Sequence, residues 1–310
     1  LAPFTFELAT PACAEEKLFV AQQDGCIWAL DAGTGATLWG PMTLGAPTDQ
    51  LNTPVTYDSG HIYVGSAFGS KTYYCLDAAT GELVWARPGT HGGGYYWAGA
   101  CAIGDYLVFG DDDAVLTCVN KDTGALVDEE DLKAVESGAG SIRSSVSYNS
   151  GTGRVYLTDQ GGYCWAYAFN ESTGDLAYQW HTFIGWSTST PVVHDGKVYV
   201  GFGGYAGAGG LHCLSVTDGA LLWTFPSPHG GGVQSSPAIS LADGTARIYF
   251  TVNGPNGGVY ALDEDGGLLW EYVSEEAGGM AGYVLQGVAL SNGRVYFGND
   301  GGYLSALKVV

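Results

Sequence analysis

The sequence predicts an all-β fold, a seven-bladed β-propeller of four-stranded antiparallel blades. Three observations predict it. A basic or polar residue followed by an aromatic-aliphatic run recurs seven times. The copies are Lys17-Leu18-Phe19-Val20, His61-Ile62-Tyr63-Val64, Tyr106-Leu107-Val108-Phe109, Arg154-Val155-Tyr156-Leu157, Lys197-Val198-Tyr199-Val200, Arg247-Ile248-Tyr249-Phe250 and Arg294-Val295-Tyr296-Phe297. Their third residues fall at 19, 63, 108, 156, 199, 249 and 296, a step of about 46 residues that fills the chain. Glycine is 50 of 310 residues, roughly twice its usual ~7%, and aromatics are 13%, a composition of packed strands joined by tight turns and the opposite of a disordered chain.

Each repeat divides into four strand signals. Strand A is short, as in Pro191-Val192-Val193, and an Asp-Gly or Asn-Gly type turn leads from it into strand B, the recurring phrase. A glycine turn then leads to strand C, for example Ile27-Trp28-Ala29-Leu30-Asp31. Strand D follows a Thr-Gly turn, as in Thr34-Gly35-Ala36-Thr37-Leu38-Trp39. The seventh repeat stops after strand C, while a spare strand, Phe4-Thr5-Phe6-Glu7-Leu8, precedes the first. Residues 1–10 are therefore expected to close the last blade, leaving no open edge in a single domain spanning 1–310.

The turn between strands C and D has its own pattern. It runs from Asp31 to Trp39, from Asp77 to Trp85, from Ser215 to Trp223 and from Asp263 to Trp270, with glycine four residues before each tryptophan. Glycine supplies a positive φ, the Asp and Thr side chains hold the turn, and the indole is expected to bury between blades. Asp128 and Tyr178 stand at the tryptophan position in blades 3 and 4, which are expected to dock less well, although Trp180 lies two residues beyond Tyr178.

This turn resembles the tryptophan-docking repeat of the pyrroloquinoline-quinone (PQQ) dehydrogenases and of their non-enzymatic relatives, which include outer-membrane assembly lipoprotein propellers. The resemblance covers essentially the whole chain. The enzymes of that family carry eight blades, a vicinal Cys-Cys disulfide against the quinone, and a calcium site of Glu, Asn and Asp. This sequence has seven repeats and no Cys-Cys pair. Its acidic clusters are Asp111-Asp112-Asp113, Asp128-Glu129-Glu130-Asp131 and Glu275-Glu276, and the first reads as a solvated turn. No cofactor is expected, neither PQQ nor calcium.

Other chemistry is sparse. The chain carries no G-x-S-x-G, H-E-x-x-H or P-loop motif. Of seven cysteines, Cys75, Cys118 and Cys213 share a strand C position held elsewhere by Ala29, Ala168, Ala261 and Ala306, so they read as small buried hydrophobes. Eleven basic residues against 32 acidic give a net charge of −21, which argues against nucleic acid and anionic membranes. No apolar run approaches the ~18 residues of a membrane span.

The loops from strand D to the next strand A differ most among repeats. In related propellers such loops line one mouth of the central channel. The residue three before the Pro-equivalent that opens strand A reads Leu8, Leu51, Trp97, Arg143, Thr188, Gln234 and Leu285. Leucine thus gives way to Trp, Arg, Thr and Gln over blades 3 to 6. Arg143 stands apart from the basic residues that open strand B. The candidate binding residues are Trp97, Arg143, Trp186 and Gln234, with His91 and His229 on two matching His-Gly-Gly-Gly loops and Tyr283 at the border. Aromatic rings, one guanidinium and neutral hydrogen-bonders suit a selective binding surface.

The expected function is that of a non-enzymatic binding or scaffolding propeller, exported to the periplasm, the cell surface or beyond. It would present these loops to a protein, glycan or small ligand, as a monomer in isolation. The alternative is a quinone-dependent oxidoreductase or a degenerate relative of one.

Overall fold

Seven antiparallel sheets follow one another along the chain, each a simple meander, six of them running from strand A to strand D. Together they form the seven-bladed, all-β propeller. The computed structural model describes residues 9–46, 48–204, 207–242, 244–273 and 283–308. Blade 1 comprises Ala12–Ala14, Lys17–Ala21, Cys26–Asp31 and Thr37–Thr43. Blade 7 shows three strands among the described residues, Ala289–Ser291, Arg294–Gly298 and Leu304–Lys308. The N-terminal segment proposed to complete it lies outside the described residues, apart from Ala9 and Thr10.

The chain forms two compact units: Leu1–Val155 with Ala168–Ala177, and Tyr156–Tyr167 with Tyr178–Val310. Blades 1 to 3 belong to the first, and blades 5 to 7 to the second.

Register explains the small residue in strand C. In blade 2, Tyr63 of strand B pairs with Cys75 of strand C, which pairs with Trp85 of strand D. Blade 5 repeats this with Tyr199, Cys213 and Trp223, and blade 1 with Phe19, Ala29 and Trp39. A small residue in the middle lets the two rings meet above it, with centroids 6.1, 5.9 and 6.0 Å apart in blades 2, 5 and 1. Burial pushes the Cys75, Cys118 and Cys213 thiols up to about 12, so they stay protonated and inert.

Each indole then reaches the next blade. The ring nitrogens of Trp39, Trp85 and Trp223 donate to the carbonyls of Ala78, Lys121 and Glu264, at 3.2, 2.8 and 3.1 Å. Each acceptor directly follows the residue that opens the next C–D turn. The glycine of that same turn lies flat under the ring. A Cβ on Gly81, Gly124 or Gly266 would stand 2.8, 2.7 or 3.0 Å from the indole above it.

Blade 4 corrects an expectation. Trp180, not the Tyr178 position, takes the indole's place: its ring nitrogen donates to Val216 at 3.1 Å, its ring covers Gly219, and its centroid lies 6.0 Å from Tyr156. In blade 3, the Asp128 carboxylate does the linking instead, accepting the Leu176 N–H at 2.7 Å.

Hydroxyls lace the start of the inner strands. Thr53 and Ser189 accept the N–H groups of Gly65 and Gly201, at 2.8 and 3.0 Å. Ser145 accepts the Gly99 N–H at 3.1 Å and Ser236 the Thr190 N–H at 3.0 Å, each from one inner strand to the next. These buried pairs satisfy backbone groups that strand pairing leaves free. They also fix the loops from which the candidate residues project. One short helix, Leu132–Val135, interrupts the loop after blade 3, where Asp131 caps it by accepting the Lys133 N–H.

Candidate functional site

Trp97 and Arg143 come together in the first unit. Trp97 follows the glycine triplet Gly92-Gly93-Gly94 and has a left-handed backbone, φ +66°. That conformation is uncommon for a bulky residue and marks a position held by its surroundings. The indole leans on Tyr96, with centroids 4.6 Å apart. The Arg143 guanidinium lies over the Tyr96 ring at 4.5 Å and near Trp97 at 5.8 Å. Phe68, about half exposed, meets the Tyr96 edge at 5.8 Å.

Asp112 fixes the guanidinium. Arg143 donates from Nε and Nη2 to its two carboxylate oxygens at 2.9 and 3.2 Å. Ser141 donates to the Asp112 carbonyl at 2.8 Å. The fork geometry leaves one face of the guanidinium on Tyr96. Arg143 therefore does neutralise a nearby acid, and it also extends the aromatic surface. The result is a half-buried platform of Phe68, Tyr96, Trp97 and Arg143.

The Asp111-Asp112-Asp113 run is not a solvated turn, and that expectation is corrected. Asp111 is 3% exposed and accepts the N–H groups of Asp113 and Val115 at 2.9 and 3.0 Å. Burial raises its pKa from 3.8 to about 6 against the effect of those bonds. Its role is to tie the B–C turn of blade 3 beneath the platform. The Ile142 N–H, next to Arg143, donates to the Asp111 carbonyl at 2.9 Å.

The other candidates are placed as follows. His91 is exposed and stands 3.9 Å from Glu129, which also lies 3.9 Å from Arg87. In the second unit, His229 repeats this arrangement with Glu271, again at 3.9 Å. Gln234 accepts from the Asn253 side-chain amide at 2.6 Å, and its carbonyl accepts from Thr188 at 3.0 Å. Asn253 also bridges to Tyr283, whose carbonyl accepts the Asp300 N–H at 3.0 Å. Trp186 is half-buried, and its carbonyl accepts the Gly203 N–H at 2.8 Å.

Tyr96, Phe68 and Asp112 were missing from the sequence-derived candidates. Tyr96 adjoins Trp97, so its ring was open to notice. Asp112 lies 31 residues from Arg143, and only the blade pairing brings them together.

All seven cysteines are free and no two are adjacent, so the vicinal disulfide has no counterpart. Among the described residues, no three His, Cys, Asp or Glu side chains gather as a metal cluster. No helix among them is long and apolar enough to cross a membrane.

A family profile described as "Outer membrane protein assembly factor BamB" matches residues 23–162 and 151–309. The outer membrane protein assembly factor BamB of Yersinia pestis is 28% identical over 231 residues, 69% of this chain and 55% of that protein. A polyvinylalcohol dehydrogenase of Sphingopyxis sp. (strain 113P3) is 33% identical over 100 residues, 27% of this chain and 15% of that enzyme. The chain thus spans about half the length of the first relative and far less of the second. Among solved structures, BamB from Moraxella catarrhalis aligns with a TM-score of 0.68 at 18% identity, covering 97% of this chain and 82% of that one. At that identity the likeness is one of fold.

Proposed function

Since the chain belongs to the outer membrane assembly factor BamB family of PQQ-like propellers, we propose that it is a non-catalytic scaffold that holds a protein partner on its D–A loops, outside the cytoplasm. The observation that carries this reading is the platform of Tyr96, Trp97 and Arg143 locked by Asp112. Aromatic and arginine side chains held in one conformation lose little entropy on binding and dominate protein interfaces. A stretch of partner chain carrying an acidic or carbonyl group over a flat apolar residue would match it. The net charge of −21 sets a repulsive background against acidic partners, so the contact would be short and local.

The relationship to a dehydrogenase offers a second reading, and the absence of adjacent cysteines weighs against it. We propose that the protein works without PQQ. Dye reduction by purified protein supplied with PQQ, calcium and a panel of alcohols would overturn that statement.

The binding reading is tested by placing a photo-crosslinking residue at Phe68 and identifying the adduct in the native cell envelope. Trp97→Ala and Arg143→Ala are each expected to reduce the identified adduct at least tenfold while leaving the melting curve nearly unchanged. An adduct of parental yield in both variants moves the site elsewhere.

A further inference from the structure

The loop joining blade 1 to blade 2 turns oxygen atoms inward with no described group to receive them. Asp49 is 1% exposed and Asn52 is fully buried. Both carboxylate oxygens of Asp49 and the side-chain oxygen of Asn52 are buried and accept no hydrogen bond from any described group. The Asn52 amide is already engaged, donating to Gln50 Oε1 at 3.1 Å. Among the described residues, no Lys, Arg or His forms an ion pair with Asp49.

The surroundings are shaped to admit this carboxylate. Gly45 (φ +78°) and Gly69 (φ +68°) press their backbones against it, and a Cβ on either would overlap its oxygens. The Tyr74 hydroxyl lies 3.0 Å from the same Gly45 Cβ position and is bonded to Ser70 Oγ at 3.0 Å. The groups of this loop and its surroundings are thus a carboxylate, an amide oxygen and hydroxyls.

An uncompensated buried charge is among the least tolerable features of a folded protein. A buried water would lend a proton or two but no charge. A cation supplies the charge, and an all-oxygen donor set with no nitrogen or sulfur selects hard cations. We propose that this loop binds a hard cation of the calcium type on the Asp49 carboxylate. Calcium accepts irregular oxygen shells that magnesium does not. The sequence-based expectation of no calcium concerned a quinone-linked site, and this is a different place. A single carboxylate makes it a weak site, suited to the high calcium levels met outside the cytoplasm. Its effect would reach the platform, because Phe68 adjoins Gly69 in sequence and edges Tyr96.

The test uses the whole chain, stripped with a chelator and dialysed into 150 mM salt. Melting is followed as calcium, magnesium or extra sodium is added, with calorimetric titration of calcium alongside. A saturable single site is expected, and calcium at about a hundredfold over its Kd should raise Tm by about 5 °C or more. Asp49→Asn should abolish both the shift and the saturable heat, while Glu16→Gln, a surface control, should change neither. If Asp49→Asn fails to fold, the parent titration decides alone. Saturation by sodium alone assigns the site to a monovalent ion and overturns the calcium assignment. No saturable site, or binding that survives Asp49→Asn, reports only the acidic surface and overturns the proposal. The platform's crosslinking is read separately, so neither result stands in for the other.

Discussion

Two residues depart from their repeats in ways that can be measured. Asp111 holds its proton up to about pH 6 in the folded chain, whereas the unfolded chain loses it near 3.8. Between those values the native state binds more protons, so this carboxyl makes stability fall as pH rises through the window. Below about pH 4 its cost is absent, and above about pH 6 it is complete, on the order of 3 kcal/mol. Asp111→Asn keeps an oxygen for the Asp113 and Val115 amides. It is expected to match the parent near pH 3.5 and to exceed it above pH 6, in urea unfolding across pH. Trp180 makes the second case. Trp180→Ala should cost about 3–5 kcal/mol, as removal of a buried aromatic does. Tyr178→Ala, at the position the repeat assigns to tryptophan, should cost under about 1 kcal/mol if Trp180 alone carries the contact. Equal losses would mean that both rings share it. The burial of Asp111 was not legible in the sequence, and of Trp180 only its place two residues beyond Tyr178 was. Three consecutive aspartates read as solvated until the turn beneath the platform is seen to bury the first. A two-residue shift of the indole along strand D cannot be told from a lost motif without the neighbouring blade.

Among the elements, the C–D turn carries two requirements on one glycine. Its positive φ was predictable from the Thr-Gly pattern. Its second duty, to lie flat beneath the preceding blade's indole, appears only in three dimensions. Gly35 separates the two, since it has φ +71° and, among the described residues, nothing within 4 Å of its missing Cβ. Gly124 has φ +69° and the Trp85 ring at 2.7 Å. Gly35→Ala should therefore cost only the left-handed penalty, about 1 kcal/mol. Gly124→Ala should add the overpacking penalty and total about 2–4 kcal/mol by chemical denaturation. Gly174 extends the pattern where no indole precedes it, since Tyr106 and Val127 fill the space, at 2.6 and 2.7 Å. The strands themselves were legible because the same aromatic-aliphatic run recurs in every copy. The helix Leu132–Val135 was not, because four residues carry too little periodicity to register.

At the scale of the molecule, the repeat count fixed the architecture before any contact was known. Closure is the part that still rests on the sequence. Blade 7 ends in the strand Leu304–Lys308, with Leu304 80% exposed. If residues 1–10 complete that blade, a chain lacking them should melt well below the parent and show more dye-accessible apolar surface. An unchanged melting curve would remove closure by the N-terminal segment from consideration. The binding platform was half legible. Trp97 and Arg143 broke the repeat and could be singled out, while Asp112 looked like any acid in an acidic chain.

The seating of each indole on a later turn also has a direction in time. Trp39, Trp85, Trp180 and Trp223 each precede their acceptor carbonyl by 36 to 41 residues. A chain emerging from the ribosome therefore makes the key before the lock, and each new blade closes over a ring already in place. Assembly of this kind runs one way, like a ratchet. A faulty turn would strand the blade before it with an uncovered tryptophan, and that bare ring is what a chaperone or protease would meet first.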